Sequence, residues 1–298
     1  MSGLIPLTFF MIKIIETPRD AMQGIKEFIP TYKKVAFLNT LLRVGFDTLD
    51  FGSFVSPKAI PQLKDTAEVV EQLNLENVST KLLAIIGNQR GAIQASEFPQ
   101  IKYLGYPYSI SETFLKLNIN SNFNKAFKQV SEIQEICIKN NKELVIYISN
   151  AFGNVYKDDW SPEIVYQHVK KLNTLGIKII PLSDTVGVGN YDSIYSAFDA
   201  VTESFKHIEF GAHLHTTNQN WHENVSAAYN AGCRRFDTVL NGLGGCPMSG
   251  KELVGNLHTR KLLYFLQKRS EKVSLNMNAF NKALFAEQSI YPLSAFFK

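Results

Sequence analysis

The sequence predicts a single (β/α)8 barrel, a TIM barrel, spanning the 298-residue chain. Three observations carry that expectation. Short β-branched runs alternate with longer amphipathic stretches and no two strand-like runs are adjacent, which is the pattern of a parallel sheet built from strand–helix units. Eight such runs can be read, and eight strands close into a barrel whose interior side chains can fill. Their starts lie 32 residues apart on average, the length that a strand, a helix and two loops require.

Taken in order, the expected strands cover 11–17, 46–52, 81–87, 102–106, 143–149, 178–182, 211–215 and 235–240. A helix is expected over 30–44, where Val35, Leu38, Leu41 and Leu42 recur with a 3–4 period, and Gly45 stops it. Ser161-Pro162-Glu163 combines an N-cap serine, a proline at the first helical position and an acid in the first turn; that helix is expected to end at Gly176. Helices are also expected over 123–140, 192–205 and 220–231, the last ending at Gly232. The final stretch, 269–298, is expected to form a pair of terminal helices packed on the barrel. No Gly-x-Gly-x-x-Gly follows the first strand, which argues against an open dinucleotide-binding sheet. No low-complexity linker divides the chain, so one domain is expected.

Composition narrows the function classes. With 45% hydrophobic and 19% charged residues the chain is an ordinary globular one. Its net charge of +4 contains no run of five or six like charges, so neither a nucleic-acid arm nor a membrane patch is expected. Three scattered cysteines give no disulfide framework and fit a reducing compartment. Cys137 and Cys233 read as structural. The first ten residues are apolar but lack a basic leader and a cleavage site, and are too short to cross a bilayer; they read as an extension before Met11. A soluble cytoplasmic protein is expected.

In such a barrel chemistry gathers at the C-terminal ends of the strands. Arg19-Asp20 follows the first strand, Asp50 and the run Ser53-Phe54-Val55-Ser56-Pro57-Lys58 the second, Asp184 the sixth, and Asn241 to Pro247 the eighth. His213 and His215, two apart on the seventh, face the same side of a strand. An isolated His-x-His is more often a hydrogen-bonded pair than a ligand set. With Asp20 as anionic ligand and Asn256 as neutral oxygen ligand it makes a mixed N/O site suited to Mg²⁺ or Mn²⁺. Arg19 beside Asp20 could be a plain ion pair; at a barrel mouth its guanidinium can also stabilise a developing enolate. Cys246, in a loop of glycines and a proline, is the cysteine placed for chemistry, the alternative being a packing residue in a turn. Gly187-Val188-Gly189 is too short to specify a phosphate loop over a plain strand-to-helix turn.

Pro18-Arg19-Asp20-x-x-Gln23, Ser53-Phe54-Val55-Ser56-Pro57-Lys58, Asp184-Thr185-x-Gly187-x-Gly189, His213-x-His215 and Gly242-Leu243-Gly244-Gly245-Cys246-Pro247 together resemble the 3-hydroxy-3-methylglutaryl-CoA lyase family from about 12 to 265. Arg-Asp and His-x-His look like the wider superfamily with isopropylmalate and homocitrate synthases and pyruvate carboxyltransferase domains. The Gly-Gly-Cys-Pro loop points to the lyase branch. The resemblance implies a divalent cation on Asp20, His213, His215 and Asn256, and Arg19 stabilising a thioester enolate. It implies Cys246 as the catalytic cysteine, and Asp20 or His213 as the base. Substrate contacts would come from Arg19, Gln23, Asp50, Ser53 and Asp184. It further implies an acyl-CoA substrate and a homodimer.

The sequence departs from that family at Ala21, at Thr216 after His215, at Val145 where an arginine is expected, at Arg260 where an acid is expected, and over 150–154. These departures keep three other readings open: a lyase for a related 3-hydroxyacyl-CoA, a Claisen condensing synthase joining acetyl-CoA to a 2-oxo acid, and a non-catalytic barrel that binds a metal or an acyl-CoA.

Overall fold

Each strand-like run pairs with the next, and the eighth returns to the first. A computed structural model of the chain describes residues 11–245 and 254–291. It closes the strands into one parallel barrel in sequence order. The elements are β1 (Lys13–Glu16), α1 (Pro18–Gln23), α2 (Thr31–Leu42), β2 (Thr48–Ser53), α3 (Thr66–Glu71), β3 (Lys81–Ile85), α4 (Gln89–Ser96), β4 (Ile101–Ser109), α5 (Glu112–Ile119) and α6 (Phe123–Lys139). They continue with β5 (Glu143–Ser149), α7 (Pro162–Asn173), β6 (Ile179–Ser183), α8 (Tyr191–Thr202), β7 (Glu209–His213), α9 (Trp221–Asn230), β8 (Arg235–Thr238), α10 (Thr259–Lys268) and α11 (Met277–Ile290).

All eight expected strands form. The helix starts follow their capping chemistry: Ser161 Oγ accepts the Ile164 N–H at 3.2 Å and opens α7, and the Asn122 and Asn190 side chains open α6 and α8 in the same way. One expectation is corrected. β7 ends at His213, so His215 lies beyond the strand. Of the terminal helices expected over 269–298, one, α11, lies within the described residues, and 292–298 lie outside them. Ser270 turns out of α10 with φ +58°, no regular element forms over 271–276, and Asn276 then caps α11 through the Ala279 N–H. α11 lies against α2, tied by the Asn276 N–H to the Val44 carbonyl at 2.8 Å.

A continuous apolar layer fills the space between barrel and helices. Phe37, Leu38 and Leu41 of α2 and Val165, Val169 and Leu172 of α7 belong to it. Cys137 and Cys233 are buried, as expected. The lumen is a second, smaller core, and it is lopsided. Leu83, Tyr103, Val145, Tyr147 and Ile179, with Ile85 against them, pack together on the β3–β6 side. Strand alternation and register turn Asp50, His213, Arg235 and Asp237 into the lumen on the opposite side. Among the described residues no helix is long and apolar enough to cross a membrane.

Candidate metal centre

Asp20 is carried by α1, directly after β1, where Pro18 sets the helical φ at the first position. His213 is the last residue of β7. His215 is brought back by a backbone bridge to Asn256, with the Leu257 N–H bonding the Leu214 carbonyl at 3.1 Å and the Thr216 N–H the Gly255 carbonyl at 2.8 Å. The two histidines meet although only one is on the strand; their ring centroids are 5.3 Å apart. One ligand atom from each of Asp20, His213 and His215 lies within 4.8 Å of the other two. Asn256 Nδ2 donates to Asp20 Oδ2 at 2.8 Å and to the Leu243 carbonyl at 2.9 Å. Both its amide hydrogens are thereby spent, and its Oδ1 is the atom left for a cation.

These residues fit a divalent cation. His215 is 2% exposed, and neither of its ring nitrogens makes a hydrogen bond of regular geometry. Its one polar contact is with the Thr185 backbone, and a buried imidazole so poorly satisfied is costly unless its lone pair is used. Burial, then the adjacent His213, pull its pKa down to about 4, so it is a neutral donor. Burial works against the charge of Asp20, but Arg19, His213, His215 and Asn256 together hold its carboxyl at about 2, so it is ionised. His213 Nδ1 is 3.1 Å from Asp237 Oδ2. That bond fixes Nδ1 as the protonated nitrogen and frees Nε2, the arrangement of a ligating histidine with a carboxylate behind it. Burial disfavours the imidazolium, but the hydrogen bond and charge of Asp237, then Asp20, leave the His213 pKa above the usual value.

Arg19 is 8% exposed and tightly held. Its Nε and Nη2 both donate to Asp50 Oδ2, at 2.9 and 2.6 Å, and its Nη1 donates to Asp20 Oδ1 at 2.9 Å and Gln23 Oε1 at 3.0 Å. A guanidinium has five N–H donors, so one, on Nη2, remains. Asp50 is fully buried beneath Arg19; burial pushes its carboxyl up to about 6 against the pull of Arg19. Gln23 and Asp50 thus orient Arg19.

Ser53 and Asp184 hold loop backbone at the strand ends. Ser53 Oγ accepts the Val55 N–H at 3.2 Å. The two oxygens of Asp184 accept the Val188 and Gly189 N–H groups at 3.0 and 3.1 Å, making 187–189 a strand-to-helix turn. Cys246 lies outside the described residues. The glycine run leading to it rests on α1: Gly244 has φ +89°, and a Cβ there would meet Ala21 Cα at 2.9 Å and the Asp20 carbonyl oxygen at 3.0 Å.

Sequence reasoning missed Asp237 and Tyr147. Asp237 orients His213, and the Tyr147 ring meets His213 edge-on at 5.8 Å, its hydroxyl buried. The signal for Asp237 was present: Arg235 and Asp237 alternate within a strand of a closed parallel barrel, so both charges face the lumen. Of the departures, Val145 is fully buried in the apolar lumen and Arg260 is exposed on α10. In the 150–154 loop, Asn150 adopts φ +62° and accepts the Ser109 hydroxyl, and Asn154 Oδ1 accepts the Tyr156 and Asp158 N–H groups.

Comparison with known proteins agrees with this geometry. The HMGL-like family profile matches residues 11–284. The chain is 30% identical over 260 residues to hydroxymethylglutaryl-CoA lyase YngG of Bacillus subtilis, covering 87% of this chain and 86% of that protein. It is 32% identical over 257 residues to the mitochondrial hydroxymethylglutaryl-CoA lyase of Bos taurus, covering 86% and 78%. The solved hydroxymethylglutaryl-CoA lyase of Pseudomonas aeruginosa superposes with a TM-score of 0.88 at 27% identity, covering 96% of this chain and 95% of that one. An Acinetobacter baumannii HMG-CoA lyase, solved in complex with coenzyme A and 3-methylmalate, superposes with a TM-score of 0.85 at 29% identity, covering 94% and 91%. The chain belongs to the HMGL-like family.

Proposed function

We propose that this chain is a divalent-metal-dependent hydroxymethylglutaryl-CoA lyase. It cleaves 3-hydroxy-3-methylglutaryl-CoA to acetyl-CoA and acetoacetate, and acts as one barrel domain. The observation that carries the reading is the meeting of Asp20, His213 and His215 at the barrel mouth, directly beside the anchored guanidinium of Arg19. The names of the relatives supply the substrate class. We further propose a cytoplasmic homodimer.

A divalent cation, Mg²⁺ or Mn²⁺, held by Asp20, His213, His215 and Asn256 would act as a Lewis acid on the tertiary hydroxyl of the substrate. The hydroxyl proton passes to a base of the chain. Asp20 and His213 are the two candidate bases; with the Nδ1 proton of His213 held by Asp237, His213 can accept only at Nε2, so it serves as base or as cation ligand and not as both at once. The carbon–carbon bond then breaks in a retro-Claisen sense. Its electrons go to the acetyl-CoA fragment as an enolate, whose oxygen takes the remaining Nη2–H of Arg19. Asp50 and Gln23 keep that donor aimed. Cys246 is assigned the final protonation of the enolate carbon, and Ser53 and Asp184 support substrate through the loops they shape.

Product analysis tests the reaction. Incubation of 3-hydroxy-3-methylglutaryl-CoA with the protein, Mn²⁺ and a reductant is expected to give acetyl-CoA and acetoacetate in equal amounts, and Cys246→Ala to suppress both. Absence of both products from folded, cation-loaded protein would overturn the assignment. Turnover of a related 3-hydroxyacyl-CoA in the same assay would move it to a neighbouring substrate.

A further inference from the structure

α11, a helix additional to the eight strand–helix units, packs on α2, and its C-terminal end reaches the segments that follow β8 and β1. Glu287, in its last turn, is 1% exposed, and its carboxyl accepts from Nδ2 and from the backbone N–H of Asn241. Tyr291, four residues on, donates its hydroxyl to the Pro18 carbonyl at 3.3 Å. One helix end therefore touches both segments that carry the candidate cation site. Pro18 opens α1, which bears Asp20, and Asn241 opens the glycine run after β8. Beneath them Glu16, on the outer face of β1, accepts from the Leu240 N–H at 2.8 Å and from the Thr238 and Thr259 hydroxyls at 3.2 and 2.8 Å.

Contact passes from Asn241 to Asn256 with little play. Gly242 has φ +66°, and a Cβ there would lie 2.9 Å from the Asn256 carbonyl oxygen. A Cβ on Gly255 would lie 2.5 Å from the Gly242 carbonyl oxygen. The two backbones are thus packed at glycine distance, and the Leu243 carbonyl holds Asn256 Nδ2. A displacement of Asn241 becomes a displacement of Asn256. A leucine at 287 would fill the apolar wall without the desolvation cost of a carboxyl, so the polar bond is the feature this position adds.

We propose that Glu287 is a positioning residue for the cation site. Its hydrogen bond to Asn241 sets the path of 242–243 and so aims the Asn256 amide at Asp20 and the two histidines, resting on the reading of Asn256 as a cation ligand.

The test is Mn²⁺ affinity of the full chain, read from the electron paramagnetic resonance of free Mn²⁺, with circular dichroism to check folding. Glu287→Leu and Asn241→Ala are expected to weaken Mn²⁺ binding about 10- to 100-fold, the range for partners of metal ligands. They should also raise the Mn²⁺ concentration for half-maximal activity more than they lower kcat at saturating Mn²⁺. Glu287→Gln, whose amide oxygen still accepts from Asn241, is expected to restore wild-type affinity. Asn256→Ala tests the underlying reading. If it weakens binding while Glu287→Leu and Asn241→Ala do not, the role of Glu287 is refuted and Asn256 stands as a ligand. If it too binds as wild type, the ligand reading has failed. Should Glu287→Leu not fold, Glu287→Met, which also removes both bonds to Asn241, decides in its place.

Discussion

Strands β3 to β6 line the lumen with Leu83, Ile85, Tyr103, Val145, Tyr147 and Ile179, whereas β7, β8 and β2 turn His213, Arg235, Asp237 and Asp50 into it. The first group has few polar atoms to satisfy and gains from burial as any core does. The second carries charges that burial penalises: Asp50 is pushed up to about 6, and Arg235 is 1% exposed with one bond, at 2.9 Å, to Glu209. The comparison teaches that closure and chemistry are separated within one barrel. The apolar half is a packed wall, and the polar half carries an energetic cost that, on the proposed function, His213, Asp237 and Asp50 repay beneath the mouth. Substitutions in the two halves should therefore separate stability from cation binding.

The largest effect is expected at His215. Its nitrogens have no regular hydrogen bonds to lose, so His215→Ala should abolish Mn²⁺ binding and substrate cleavage while leaving the unfolding midpoint at or above that of the cation-free wild type. Titration calorimetry and chemical denaturation read the two quantities. In the apolar half, Leu83→Ala is expected to cost about 2–5 kcal/mol in urea unfolding and to leave Mn²⁺ affinity unchanged. A matching loss of affinity would mean that the halves are not separable. Asp237→Asn keeps the shape behind His213 but removes the charge; a 10- to 100-fold loss of Mn²⁺ affinity is expected, with little change in stability.

The smallest effect concerns pH. Burial raises Glu287 to about 7 in the fold against the pull of Asn241 and Arg260, and Glu16 and Tyr291 face it from β1 and its own helix. An acid whose pKa is higher folded than unfolded stabilises the fold when protonated. That contribution is complete below about 4.5 and is lost as pH rises through 7. Glu287→Gln stays neutral throughout, so it should melt above wild type at pH 8 and with it at pH 4. Equal melting at both values would show that the carboxyl is not driven neutral by its surroundings.

Much of this was legible in the sequence. Periodicity located every strand because a buried parallel strand is a β-branched run and its helix a 3.6-residue pattern. Ser161-Pro162-Glu163 located a helix start to the residue. The pairing of Asp20 with His213 and His215 followed from where strand ends fall in a barrel. What stayed hidden was what depends on partners far away in the chain. Asp237 sits within a strand, below the ends where polar residues attract notice, and its role appears only when β7 lies beside it. That Asp184 also holds the amides of 188 and 189 appears only once the turn into α8 is seen. Glu287 is one polar residue on an amphipathic helix, and nothing local says that its side faces Asn241. The end of α10 was hidden as well, because a left-handed serine at 270 ends it without a glycine to announce it.

The central claim is that the polar half of the barrel holds a divalent cation on which the lyase reaction depends. The most direct measurement strips the protein with a chelator and returns Mn²⁺ stepwise, following bound Mn²⁺ and acetoacetate release from 3-hydroxy-3-methylglutaryl-CoA in the same samples. The account predicts no release before addition, then binding and release rising together to one equivalent per chain, with neither in His215→Ala. Full release from stripped protein, or one equivalent of Mn²⁺ bound by His215→Ala as tightly as by wild type, would contradict it.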